Sequence, residues 1–149
     1  MEPTIVTWAL VIFGVVTLIP LFVAQLAMLT RPDSQETRNL LIGRGEDWRD
    51  KTHFRLSLGG AWADWLFFTP LFVAGSIGVL LGQVWGYILF GAAGACSLYI
   101  SIILYFTEKE YVYPTRGPLR YFTYYWGFFV YWGILTLAYT LVRVAGINV

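Results

Sequence analysis

Apolar residues in this chain fall into four long runs separated by short polar stretches: about Thr4 to Thr30, Gly60 to Leu81, Val84 to Phe106 and Tyr121 to Val144. At a rise of about 1.5 Å per residue, each run is long enough to cross roughly 30 Å of hydrocarbon. Gly82-Gln83 separates the second run from the third, which together would be about twice a bilayer thickness. The pattern predicts an all-α fold, an integral membrane four-helix bundle spanning residues 1–149 as one unit. The first loop, Arg31 to Gly59, is the one sizeable polar piece. There Asp33 or Ser34 is placed to cap a short interfacial helix carrying Leu40, Leu41 and Ile42 along the membrane surface. The first run does not read as a cleaved leader, because Glu2 is its only early charge and its apolar stretch is too long. No internal repeat relates the two hairpins.

Composition sharpens this picture. Of 149 residues, 58% are hydrophobic and 13% charged, against about a quarter charged in a soluble domain. A net charge of +1 without a basic run argues against a nucleic-acid partner. The single cysteine, Cys96, rules out an internal disulfide. The single histidine, His53, rules out a bis-histidine haem and a histidine-rich metal site, so no metal or cofactor is expected. Arg31, Arg38, Arg44, Arg49, Lys51 and Arg55 lie in the first loop, Lys109, Arg116 and Arg120 in the third, and Arg143 alone near the C-terminal end. That asymmetry predicts a multi-pass protein with loops one and three cytoplasmic and both termini outside.

Of the acids, Asp64 alone falls within an apolar run, in Trp62-Ala63-Asp64-Trp65. A carboxylate in hydrocarbon costs several kcal/mol unless paired or hydrated, which makes Asp64 a candidate site residue. The plainer reading puts it in the first turn of its helix, where the dipole and water make an acid cheap. Pro20 and Pro70 interrupt the first two spans, and each frees a carbonyl; a cavity between kinked helices and ordinary membrane-helix proline are both consistent with that. Gln25 is placed to hydrogen-bond within the bundle near the loop-one end of its span. Small residues concentrate in the hairpin of spans two and three; Gly78 with Gly82 and Gly91 with Ala95 are spaced for close helix packing, or for a homodimer face.

The fourth span is the most aromatic: nine of the twelve residues from Tyr121 to Trp132 are Phe, Tyr or Trp. Interfacial anchoring explains the first of them but not Phe129 or Trp132, two to three turns deeper. Tyr121, Tyr125, Phe128 or Phe129, and Trp132 share one helical face. Turned inward, that face makes a wall for a flat apolar ligand or a cation, with Trp132 and at least one of Tyr125, Phe128 and Phe129 lining a pocket. Turned outward, it meets lipid or a partner. A third arrangement packs Trp132 as a knob against the glycine-rich hairpin.

Four spans with a polar first loop, an acid at the start of the second and an aromatic fourth resemble the emopamil-binding (EXPERA) superfamily, which includes a sterol double-bond isomerase and a sigma-type drug receptor. Asp64 followed six residues on by Pro70 resembles the receptor's second span. Leu104-Tyr105-Phe106-Thr107-Glu108 is similar to the end of the isomerase's third span, and Pro118-Leu119 with Trp132 to its fourth span and pocket tryptophan. Trp48-Arg49-Asp50 is similar to a stretch of the family's first loop. The isomerase's histidine and glutamate in the first span have no counterpart, since Ile19-Pro20 is followed by Leu21 to Ala24 and then Gln25.

The resemblance thus implies a fold and a ligand class more than a reaction. Taken with the reading of the residues, it makes Asp64 the partner of an amine or hydroxyl and Trp132 the ring that stacks on the ligand, with Gln25, Tyr125, Phe128 and Phe129 as further lining candidates from their helical positions. Three functions follow as expectations. The first is a binding protein or carrier for a sterol-like or other polycyclic apolar molecule, including cationic amphiphiles. The second is a lipid double-bond isomerase with Asp64 and Glu108 as proton carriers. The third is an accessory subunit of a larger membrane complex. A closed pocket at Asp64 and Trp132 separates the first two from the third.

Overall fold

The computed structural model describes residues 1–109 and 117–149, without the side chains of Tyr121, Tyr124 and Tyr125. The described residues form helices joined by short loops, with no strand among them. Helix α1 (Ile5–Thr30) is followed by the short α2 (Gln35–Leu41). A continuous second span comprises α3 (Lys51–Ala63), a π-helical turn π1 (Asp64–Phe68) and α4 (Thr69–Leu80). Helix α5 (Val84–Thr107) is the third span. The fourth comprises α6 (Pro118–Phe122), a second π segment π2 (Thr123–Val130) and α7 (Tyr131–Val144). Four helices are long and apolar enough to cross a membrane.

Side-chain caps set most of the helix starts. Thr4 and Thr7 cap α1 reciprocally. Ser34 caps α2, accepting from the Thr37 amide at 3.1 Å. The Thr37 hydroxyl donates to Arg31 O at 2.8 Å and ties α2 back to the end of α1. Asp50 accepts from the Thr52 and His53 amides at 2.7 and 2.9 Å. The second-span helix therefore starts at Lys51, nine residues before the apolar run suggests, because a good N-cap outweighs the polar stretch that follows it.

The end of the bundle carrying the Gly82 turn, here the closed end, is packed backbone to backbone. Gly82, at φ +69°, closes the α4–α5 hairpin, and the Gln83 amide donates to Gly78 O at 2.9 Å. Gly78 and Gly86 touch so closely that a Cβ on either would collide with the other's backbone. Around this hairpin lie Leu10, Leu18, Phe72, Val79, Tyr87, Phe90, Trp132 and Tyr139, all buried. The Tyr139 hydroxyl is hydrogen-bonded to the hydroxyls of Thr7 and, at 3.0 Å, Thr4. Arg143, the one basic residue near the C-terminal end, is only 2% exposed. It donates to Glu2 O and to Asn148 Oδ1, the latter at 2.7 Å, and lies 5.4 Å from the centre of the Tyr87 ring.

At the opposite end, which carries the first loop, the helices pair off. There α3 packs on α1, and π2 packs on α5. Among the described residues, α3 and π1 make no extended contact with α5, nor does α1 with π2. The space left between the two pairs is the cavity.

Candidate functional site

Pro70 explains why one wall of this cavity is wider than an α-helix. Its nitrogen has no hydrogen to give the carbonyl four residues back, and its ring crowds that carbonyl. The helix responds by widening for a turn, so that the Thr69 amide bonds to Asp64 O, five residues back. Asp64 opens this π turn. It lies thirteen residues beyond Lys51, about 20 Å along the helix at 1.5 Å per residue. The first-turn reading of Asp64 is therefore corrected: the helix dipole at Lys51 is too far away to stabilise its charge.

The cavity has a volume of about 240 Å³. Helix α1 contributes Pro20, Leu21, Ala24 and Gln25, and the second span contributes Asp64 and Phe68. Helix α5 contributes a stripe at helical spacing, Ser97, Ile100, Ser101, Leu104 and Glu108. Phe129 comes from π2, and Leu40 and Leu41 of α2 close the first-loop side. Ser97 fixes the fourth span here by donating its hydroxyl to Phe129 O at 3.1 Å. Phe68 packs edge-on to Phe22, ring centres 6.0 Å apart.

Among the described residues, the lining contains two acids and no basic residue. The Gln25 side chain lies beside the Asp64 carboxyl. No Lys, Arg or His forms an ion pair with Asp64 among the described residues; Arg38 lies 3.6 Å from Asp47 in the first loop. Gln25 and Ser101 are both more than nine-tenths buried, and Gln25 Oε1 has no hydrogen-bond partner. Asp64, Gln25 and Ser101 thus give the lining a polar belt, with Glu108 a second carboxyl nearer the loop end and Phe68, Phe129 and the α2 leucines supplying apolar surface.

Of the residues singled out from the sequence, Asp64, Gln25, Phe129 and Glu108 lie around this one cavity. Trp132 does not. Its ring is fully buried between Phe72 and Phe90, each 5.7 Å away, and its Nε1 donates to Leu10 O at 3.0 Å. The reason is Gly14, where a Cβ would lie 2.9 Å from Trp132 Nε1; the missing side chain lets the indole sit against α1. The depth argument holds that the indole N–H needs a partner, and that partner is a helix carbonyl. Phe128 is also corrected: it is 44% exposed and points to the outer surface rather than into the cavity. The Tyr125 side chain lies outside the described residues. Sequence reasoning did not single out Ser97, Ser101, Phe68 or the α2 leucines as lining. The two serines four apart in an apolar span were the readable signal.

Comparison with known proteins gives no match to a family model, a curated protein or a solved structure.

Proposed function

We propose that this multi-pass membrane protein binds an apolar molecule carrying an ammonium or hydroxyl group, with Asp64 as its polar partner. One observation carries the reading: a carboxylate opens on an apolar cavity with no basic side chain to neutralise it among the described residues. Removing such a charge from water costs several kcal/mol, which a ligand cation offsets more fully than the neutral Gln25 amide beside it. Gln25 and Ser101 complete the polar belt around the ligand's head, and Phe68 and Phe129 floor the site. The charge asymmetry of the loops supports an orientation with the first loop, and hence the α2 roof, on the cytoplasmic side.

The test is equilibrium binding of cationic amphiphiles, ring-based and chain-based, to the purified protein in lipid nanodiscs. Asp64→Asn should weaken binding about tenfold or more, since a poorly solvated ion pair loses most of its attraction with one charge gone. Affinity unchanged by the substitution would remove Asp64 from the site.

Glu108 on the same cavity supports a second reading, a lipid double-bond isomerase. One carboxylic acid would protonate one alkene carbon, leaving a cation on the other. The second carboxylate would take a proton from the carbon beyond that cation, so that the double bond moves by one position with no net oxidation. Incubation with an unsaturated lipid in deuterated water distinguishes the two. Deuterium incorporation that Asp64→Asn abolishes would favour the enzyme; recovery of unlabelled lipid would leave the binding protein.

A further inference from the structure

The dimensions of the cavity bear on what kind of apolar body it accepts. Its lining on α5 runs from Ser97 to Glu108, eleven residues and about 16 Å along the helix. Its volume of about 240 Å³ nonetheless falls below the roughly 300–1,000 Å³ of pockets that enclose drug-sized rigid ligands. A space that long and that small is narrow. The flat ring that would have backed a polycycle, Trp132, is enclosed in the closed end and bonded to Leu10 O. The rings that do reach the cavity, Phe68 and Phe129, are about 5% and 4% exposed, so neither presents a broad face. The helices beside the cavity are paired, α1 with α3 and α5 with π2, with no extended contact between the pairs.

From these features we infer that the cavity takes the head and first carbons of a single-chain lipid amine, whose chain lies out between the helix pairs into the bilayer. This rests on the reading of Asp64 given above and replaces the polycyclic body with a flexible one. A fused ring system needs its full width in one place. An alkyl chain turns at each bond and threads a gap one methylene wide. The ammonium sits in the belt of Asp64, Gln25 and Ser101, where carboxylate, amide oxygen and hydroxyl oxygen all accept hydrogen bonds. The chain is surrounded by hydrocarbon whether bound or free, so its transfer contributes little and the head carries the affinity.

The test uses the full chain in phosphatidylcholine nanodiscs with tritiated octadecylamine and tritiated 3β-aminocholestane, which share a primary amine and differ in body. Affinity is expressed as mole fraction in the bilayer. Octadecylamine should bind at least about tenfold tighter, a difference of about 1.4 kcal/mol. Dodecylamine should match octadecylamine, since the carbons removed lie outside the cavity, and Asp64→Asn should abolish binding of both alkylamines. Aminocholestane binding as tightly as octadecylamine, in a manner sensitive to Asp64→Asn, would overturn the single-chain proposal and leave the Asp64 site standing. Binding of neither amine, or binding indifferent to Asp64→Asn, would overturn both. Should Asp64→Asn fail to fold, the ranking of the three amines on the wild-type protein decides alone.

Discussion

The closed end and the loop end of this bundle are built from the same four helices by opposite means. At the closed end, glycines remove side chains where helices meet, and the large polar side chains tie one helix to another. Trp132 reaches α1, Tyr139 reaches Thr4 and Thr7, and Arg143 holds the backbone at Glu2 and the side chain of Asn148. At the loop end, two π segments widen the second and fourth spans, the helices separate into pairs, and Asp64 faces a cavity with Gln25 beside it. Stability is concentrated where the backbones touch. Chemistry is concentrated where they part.

If that division is right, substitutions at the two ends should differ in size and in sign. The largest effect belongs to Trp132→Ala, which leaves a cavity between Phe72, Phe90 and Gly14 and strips Leu10 O of its donor. We expect a loss of about 3–5 kcal/mol in denaturant unfolding in mixed micelles; a loss below about 1 kcal/mol would mean the closed end is not the stable half. Arg143→Met comes next. The aliphatic replacement keeps the packing on Tyr87 but leaves Glu2 O and Asn148 Oδ1 without their donor. The cost should be about 1–3 kcal/mol, with enhanced amide exchange confined to the chain near Glu2 and Asn148. Exchange spreading evenly through the bundle would contradict a local latch.

The smallest effect sharpens the contrast, because its sign reverses. Asp64→Asn replaces a carboxylate that has no cationic partner with a neutral amide of the same shape. It should raise the stability of the ligand-free protein by about 1 kcal/mol, seen as a melting temperature a few degrees higher. A fall in melting temperature would show that the carboxylate holds the loop end together, which would blur the distinction between the two halves. The same variant is the one expected to lose ligand, so stability and binding should move in opposite directions.

Much of this architecture is legible in the chain itself, for reasons that can be named. Four apolar runs give four spans because hydrocarbon admits little else, and Ser34 marks the start of α2 because few residues cap as well. A lone carboxylate in an apolar run stands out whatever surrounds it, so Asp64 is found from one letter. The direction a helical face points is different information. Helical spacing places Trp132 on a shared face with Phe128 or Phe129, but which neighbour each meets depends on Gly14, more than a hundred residues away, and on the widening of π2. Likewise the polar stretch Lys51 to Gly59 conceals a helix, because its hydropathy drops while the Asp50 cap and the helical path continue. The Arg143 guanidinium reads as a surface charge until Tyr87 and the Glu2 carbonyl are seen around it.

The segment π2 has a consequence that concerns chain length rather than chemistry. A π turn holds one residue more than an α turn over the same rise, so the span carries a surplus residue beside the cavity. A chain lacking Gly127 would reach the membrane face with ordinary α geometry and without disturbing Trp132 or anything after it. Everything before the deletion would also keep its direction about the helix axis, since the residue removed is the one the wide turn absorbs. The segment 123–130 is thus a place where the chain can shorten by one residue while both halves of the span keep their register, at the cost of the extra width beside the cavity.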